Sequence, residues 1–410
     1  MITEELIRAL PKSDLHVHLD GSLRLETLID LARTRGVVLP SSTPEGLNEL
    51  VFKESYANLP EYLAGFAYTC SVLQDAEALE QTAYELAIDN IDEGVRYLEV
   101  RLAPQLHVND HLTSEQVLQA VNQGLERARR AHRQSDAVAK RGEPPFEYGI
   151  IVCAMRMFSP GFGWYFKNLH RVTSELEEKR RFGIASLQLA QTAVKARDKL
   201  GLPIVAFDLA GQEDGYPAVD HAEAYRFAHE HFLKKTVHAG EAYGPESIFQ
   251  AITALHADRI GHGYHLFRPD LITSKEVYDP EGYVRALGQY IADRRITIEV
   301  CITSNLQTNP EIGTVGNHAL RQFLDARLSC TLCTDNRLVS HTTVTREIQL
   351  ALSELHLSDQ ALRDLIIYGF KRSFYPGDYR EKREYVRQVV NYYDGLMKRV
   401  EPTFAPPPGR

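Results

Sequence analysis

Short apolar runs rich in Val, Ile and Leu recur along this chain, separated by longer stretches with helical periodicity. Eight runs read as strands: 14–19, 96–103, 148–156, 204–211, 236–241, 259–263, 296–304 and 330–335. TSEQVLQAVNQGLERARRAH is the clearest helix between them, with Thr113 and Gln116 at capping-box spacing before an i, i+3, i+4 apolar pattern. Further helices are expected over 171–200 and 317–326. Strands alternating with helices imply parallel βα units, and eight units predict an α/β fold closed as a (β/α)8 TIM barrel. A doubly wound sheet would carry a G-x-G-x-x-G turn after its first strand, and none stands there. Residues 1–400 read as one barrel domain with a helical insertion after the first strand, over 35–70. Residues 133–145 read as a polar loop, and 401–410 as a proline-rich tail.

Within this pattern, chemistry-bearing residues collect at strand ends. Side chains at i and i+2 of a strand share a face, so His16 and His18 in DLHVHLDGS point one way, with Asp20 if the strand reaches it. An H-x-H alone is most simply a hydrogen-bonded core pair. Three further strand ends alter that: His238 in HAGE with Glu241 three residues on, His262 in RIGHG, and Asp335 with Asn336 in CTDN. In a barrel these sit at the C-terminal rim, where such folds build sites. His16, His18, His238 and Asp335 offer three nitrogens and a carboxylate, which suits one zinc ion and leaves a position for water. Zinc lowers the pKa of that water from ~15.7 toward ~7. Glu241 then reads as a proton donor or acceptor, and His262 as a second base or a holder of hydroxide.

Composition narrows the partners. The 410 residues carry a formal net charge of −9, which disfavours nucleic-acid backbone or anionic membrane as the main partner. Five cysteines make no disulfide framework. No apolar run approaches the ~18 residues of a membrane span, and MITEELIRAL does not look like a secretory signal. A soluble, cytoplasmic protein is expected.

PKSDLHVHLDGSL, LEVRLAPQLH, FDLAGQE, TVHAGE, RIGHGYHL, EVCITSN and TDN occur in the order and spacing of the adenosine deaminases of the amidohydrolase superfamily, which the chain resembles over roughly residues 10 to 395. The resemblance implies a purine nucleoside as the small-molecule partner, deaminated to inosine or 2′-deoxyinosine in purine salvage. His16, His18, His238 and Asp335 match the zinc ligands, Glu241 the acid that protonates purine N1, and His262 the histidine that positions hydroxide. Asp20 matches the aspartate that takes the ribose 5′-hydroxyl, and Gly211 the glycine whose N–H meets N3. Leu59, Tyr62, Leu63 and Phe66 match the apolar lid. Three positions depart from the pattern. Asn336 stands where the family often has aspartate near N7, and an amide can donate there at any pH. Ile302 replaces a proline, and Gln212 an acid. Asp20 in HLDG favours a nucleoside over free adenine and, by charge, over a phosphate. A metal-dependent amide or ester hydrolase and a purine-binding protein with a dead site are the competing classes. Oligomeric state is left open.

Other features have simpler readings. CTLC at 330–333 lies on a strand and is expected to be core. His265 reads as a rim residue, Asp208 as orienting backbone or a partner behind the site, Arg101 and Arg156 as buried ion pairs, and RARRAHR (127–133) as a solvated helix face.

Overall fold

The computed structural model describes residues 2–400; the expected tail at 401–410 lies outside the described residues. Eight parallel strands follow one another in a single sheet: β1 Lys12–His18, β2 Val95–Leu102, β3 Glu147–Met155, β4 Ile204–Ala210, β5 Lys234–Ala239, β6 Arg259–His262, β7 Thr297–Val300 and β8 Ser329–Leu332. Helices between consecutive strands cover the outside, so the fold is the (β/α)8 barrel expected from the alternation. Closure comes just past β8. Asp335 bridges Val17, its N–H donating to the His16 carbonyl and its own carbonyl accepting from His18 N–H, both at 2.7 Å. The seam of the barrel therefore locks two groups of expected ligands to each other through main chain.

Most strands fall within two or three residues of their predicted bounds. The seventh does not: β7 stops at Val300, and Ile302–Thr308 is a helix. Strand-favouring Ile302 and Thr303 mislead a propensity reading. The helix wins because the buried Glu347 carboxyl takes the Thr303 N–H at 3.2 Å and its hydroxyl, satisfying a first-turn donor. Ile302 is the first residue of that helix, the position where proline's fixed φ is tolerated best. The expected 171–200 helix is two, Trp164–Val172 and Glu178–Leu200, and the 317–326 helix shortens to Leu320–Asp325. The insertion holds the short helices Pro44–Leu50, Leu59–Leu63 and Phe66–Val72, and the polar loop contains one helical turn, Asp136–Ala139.

The apolar core lies between strands and helices. Beneath the site, the barrel interior is charged instead. Glu99 and Arg101 alternate inward on β2 and meet Asp208, Arg259 and Glu299, all fully buried. Arg101 pairs with Asp208 at 2.8 Å and Glu299 at 2.9 Å; Arg259 pairs with Glu299 at 2.6 Å and with Glu99. Buried charges persist only when paired in this way. Arg156 departs from its expected ion pair: its guanidinium donates to the carbonyls of Tyr216 at 2.9 Å and His238 at 2.5 Å. RARRAHR is not a free solvated face either. Arg129 and Arg133 reach Glu147 at the start of β3, and buried His132 accepts the Phe146 N–H at 3.0 Å. Cys330 and Cys333 are buried free thiols, raised in pKa by burial, so CTLC is core as expected. No helix among the described residues is long and apolar enough to cross a membrane.

Candidate active site

The strand ends bring His16, His18, His238, His262, Glu241 and Asp335 together. Donor atoms of His16, His238, His262 and Asp335 all lie within 4.8 Å of one another. His18 Nε2 is 3.1 Å from His238 Nε2 and 3.5 Å from Asp335 Oδ1. Five groups thus crowd a site for which the sequence named four ligands. Their hydrogen bonds separate them.

His16 Nδ1 donates to Glu299 at 2.8 Å, which leaves the buried Nε2 a bare lone pair with no partner. His238 Nδ1 donates to Asp208 at 3.2 Å, which leaves its Nε2 to face His18 Nε2. Carboxylates behind imidazoles in this way orient metal-ligating histidines. His262 is set the other way. Leu320 N–H donates to His318 Nδ1 at 3.0 Å, so the proton of this neutral ring is on Nε2, which donates to Asn305 Oδ1 at 3.2 Å. That fixes the Asn305 amide, whose nitrogen donates to His262 Nδ1 at 3.2 Å. The proton of neutral His262 is therefore on Nε2, a donor rather than a ligand atom. His16, His18, His238 and Asp335 remain as the set whose chemistry fits a borderline divalent ion.

Burial pushes His262 and His18 well below the ordinary imidazole range and lowers His238. Burial acts against ionisation of Asp335, but the imidazoles of His16, whose Nε2 is 3.4 Å from Oδ1, and of His262 hold it well below the usual carboxylate range. Ser304 Oγ donates to Asp335 Oδ2 at 2.6 Å from the unexpected helix after β7. Glu241 goes the opposite way: burial, then the charges of Asp335 and Glu213, push it well above the usual range. One carboxylate stays ionised while its neighbour keeps a proton, the separation from which acid and base roles arise. Glu241 Oε2 lies 3.7 Å from His262 Nε2.

Backbone geometry aims these side chains. His262 and Asp335 both sit in the left-handed region, φ 63° and 61°, a strain of order 1 kcal/mol each that clusters at functional positions. Gly261 has no Cβ because one would meet His16 Cε1 at 2.9 Å; its absence lets the ligand ring lie against β6. Gly211, φ 103°, turns the chain at the end of β4 and lines the cavity.

That cavity, about 760 Å3, opens above the cluster. Asp20, Asn336 and the expected lid residues Leu59, Tyr62, Leu63 and Phe66 line it. Tyr62 is buried and reaches the floor: its hydroxyl accepts from the Asn336 amide at 2.8 Å, meets Ser340 Oγ at 2.8 Å and lies 3.5 Å from Asp335 Oδ2. Asp20 is buried with Oδ1 unpartnered, while Oδ2 lies 3.9 Å from the Cys70 thiol. Among the described residues, no Lys or Arg lines the cavity. His265 stands at the rim three residues past β6, where it is buried, its N–H bonded to the Gly240 carbonyl and its Nε2 3.3 Å from Asn309. Asp208 accepts the Leu209 N–H at 2.8 Å and orients His238 from behind, so it holds both backbone and a partner side chain.

Sequence reasoning missed several contributors. Glu213 is the most consequential. Its carboxylate accepts the N–H groups of Gly240, Glu241, Ala242 and Tyr243 at 2.8–3.0 Å, and the Ser247 hydroxyl. It thereby fixes the turn that presents Glu241. Nothing in GQED marks it. Glu299 did leave a signal, as the one acid inside the apolar run ITIEVC. Ser304, Asn305 and His318 left none, since their role depends on the helix after β7.

A family model described as adenosine deaminase matches residues 11–193 and 184–392. An adenosine deaminase of Mycobacterium marinum is 32% identical over 394 residues, 95% of this chain and 97% of that protein. Adenosine deaminase 1 of Streptomyces coelicolor is 33% identical over 91% of this chain and 85% of its own length. A probable adenosine deaminase of Dictyostelium discoideum is 32% identical over 91% of this chain, which spans only 42% of that longer protein. Among solved structures, an adenine deaminase from Arthrobacter aurescens has a TM-score of 0.69 at 21% identity, covering 94% of this chain and all of that one. The Arabidopsis N6-mAMP deaminase has 0.71 at 24% identity, covering 94% and 99%.

Proposed function

Because the chain belongs to the adenosine deaminase family of hydrolases, we propose that it hydrolyses adenosine and 2′-deoxyadenosine to inosine and 2′-deoxyinosine with release of ammonia, as a zinc-dependent enzyme of purine salvage in the cytoplasm. One observation carries the reading. Glu241, whose carboxyl burial pushes well above the usual range, and the His/Asp cluster stand at the floor of a cavity with no Lys or Arg in its lining among the described residues.

His16, His18, His238 and Asp335 would hold one zinc ion per subunit; the bare Nε2 of His16 supports this. A bound ion supplies Lewis acidity that makes hydroxide accessible at neutral pH. The protein's own residues do the rest. Glu241 gives its proton to purine N1, which draws electron density from C6 and opens it to attack. His262, with its proton on Nε2, donates to the oxygen that adds to C6 and holds it over the ring. A proton passing to the exocyclic nitrogen then lets ammonia leave. The Gly211 N–H meets N3, and the Asn336 amide faces N7. Asp20 accepts the ribose 5′-hydroxyl. The lid residues Leu59, Tyr62, Leu63 and Phe66 exclude water, which strengthens every polar contact beneath them.

The cation-free lining favours a nucleoside over a nucleotide, since a phosphate would be buried beside Asp20 without a counter-charge. Ammonia release from adenosine, 2′-deoxyadenosine, adenine and adenosine monophosphate, with and without a chelator, tests the reading. Both nucleosides should turn over and the chelator should stop them. Turnover of adenine or the monophosphate in preference to adenosine overturns it.

A further inference from the structure

A second concavity lies at the mouth of the barrel opposite the candidate active site. Arg259 begins β6 and His262 ends it. Arg259 Nη1 donates to the Arg372 carbonyl at 3.1 Å, so the last turn of the helix Asp359–Arg372 lies beneath the N-terminal ends of the strands. Between that turn and the first turns of the helix Tyr379–Val400 opens a hollow of about 870 Å3. Lys371, Arg372, Arg380, Lys382, Arg383 and Arg387 line it, and Glu384 is the one acid among the described lining residues.

Six cations gather here in a chain of net charge −9. Lys371 and Arg372 have a local reason: they close a helix, where the macrodipole favours positive charge. Arg380, Lys382 and Arg383 are placed the other way, in the first turns of a helix, where the dipole disfavours cations. Neighbouring acids do not neutralise them. Asp378 and Glu381 each accept the other's main-chain N–H at 2.8 Å and so cap the helix. Glu384 reaches Arg387, at 3.7 Å. Among the described residues, Lys371, Arg372, Arg380, Lys382 and Arg383 are in no ion pair. The crowding shows in two side chains. Burial, then the charges of Arg259, Arg372 and Lys234, lower the Lys382 pKa to about 8 against the pull of Glu99. Arg372 Nε is buried with no hydrogen-bond partner.

We propose that this hollow binds a nucleoside triphosphate, with its phosphates among Arg372, Arg380, Lys382 and Arg383 and its base on Tyr379. A chain of phosphates sets several negative charges close together, which suits cations converging from two helices better than a lone carboxylate does. The volume is that of a small-molecule site. Tyr379 lines the same hollow at 76% exposure, and Arg383 lies 5.8 Å from its ring centroid, so an aromatic face adjoins the cations. A nucleic-acid backbone or an anionic bilayer would extend beyond the hollow over a chain that is acidic in sum. The hollow shares no lining residue with the active-site cavity, and the proposal does not rest on the reading of that cavity.

Calorimetric titration of the full chain with magnesium-free GTP tests this, since guanine has no 6-amino group to lose. GTP should bind, more weakly as salt rises from about 50 to about 200 mM, and guanosine should not. Tripolyphosphate should bind at least ~5-fold more weakly than GTP, and Tyr379→Ala should erase that difference. Arg380→Glu with Arg383→Glu should weaken GTP at least ~10-fold. Both side chains are exposed, so the melting temperature of the double variant should not fall. No GTP binding at low salt, equal binding of guanosine, or binding unchanged in the double variant overturns the site. Tripolyphosphate bound as tightly as GTP overturns the nucleotide assignment. A single-stranded oligonucleotide or a phosphatidylserine vesicle held more tightly than GTP overturns it in favour of those surfaces.

Discussion

Asn305 donates its amide to His262 Nδ1 at 3.2 Å, and this one contact decides which nitrogen of the site's last histidine carries the proton. His318 orients the amide from behind, itself held by Leu320 N–H. Asn305→Asp replaces the donor with an acceptor and moves the His262 proton to Nδ1. kcat for adenosine should fall at least ~100-fold, the scale of losing one aimed donor, with zinc content unchanged. Metal analysis beside steady-state kinetics checks this; wild-type kcat in a variant holding its metal refutes the relay.

Glu213 and Glu241 are coupled twice, through main chain and through charge. Glu213→Gln puts an amide NH2 against a fan of N–H donors and removes a charge that raises Glu241. Hydrogen bonds to a charged acceptor are worth about 1.5–3 kcal/mol each, and the turn partly relaxes, so a loss of about 2–4 kcal/mol of stability is expected. kcat should drop more than KM rises. A urea midpoint and kcat both at wild-type values would show the clamp to be idle.

Glu241→Gln separates chemistry from architecture. Glutamine keeps the shape but has no proton of the required acidity to give N1. Turnover should fall by about 10^2–10^4 while metal is retained. Substantial activity in the metal-loaded variant would take Glu241 out of the reaction.

Glu299 supports His16 from behind without facing the cavity. Glu299→Gln should weaken zinc by about 10–100-fold, as lost carboxylate partners of ligating histidines do. The variant also removes a counter-charge from Arg101 and Arg259, so thermal unfolding is measured alongside a competitive chelator titration. Unchanged metal affinity would deny Glu299 this role.

Glu347 predicts a pH effect on stability. Burial lifts its pKa from 4.5 to about 7, against the hydrogen bonds of Thr303 and Thr342. A folded pKa above the unfolded one means the folded state binds the proton more tightly. The contribution is complete below about 4.5 and is lost as pH rises through about 7, to a total of at most about 3 kcal/mol. Glu347→Gln mimics the protonated form, so its melting temperature relative to wild type should be higher at pH 8 than at pH 5. The reverse order would contradict the shift.

The linear pattern of this chain determined the barrel and most of its site. Alternating apolar runs and amphipathic stretches specify βα units locally. His16, His18, Asp20, His238, Glu241, His262, Asp335 and Asn336 were legible because barrel strands deliver their C-terminal ends to one rim. Tertiary structure alone decided the rest. Whether Ile302 and Thr303 continue a strand or begin a helix depends on Glu347, which stands 44 residues further on. Whether His262 offers a lone pair or a proton depends on Asn305 and His318, which that helix and the segment after it carry into place. Residue type states what a side chain can do, and spacing states roughly where it lies. Protonation, tautomer and the clamp at Glu213 depend on partners distant in sequence, so only the closed fold fixes them.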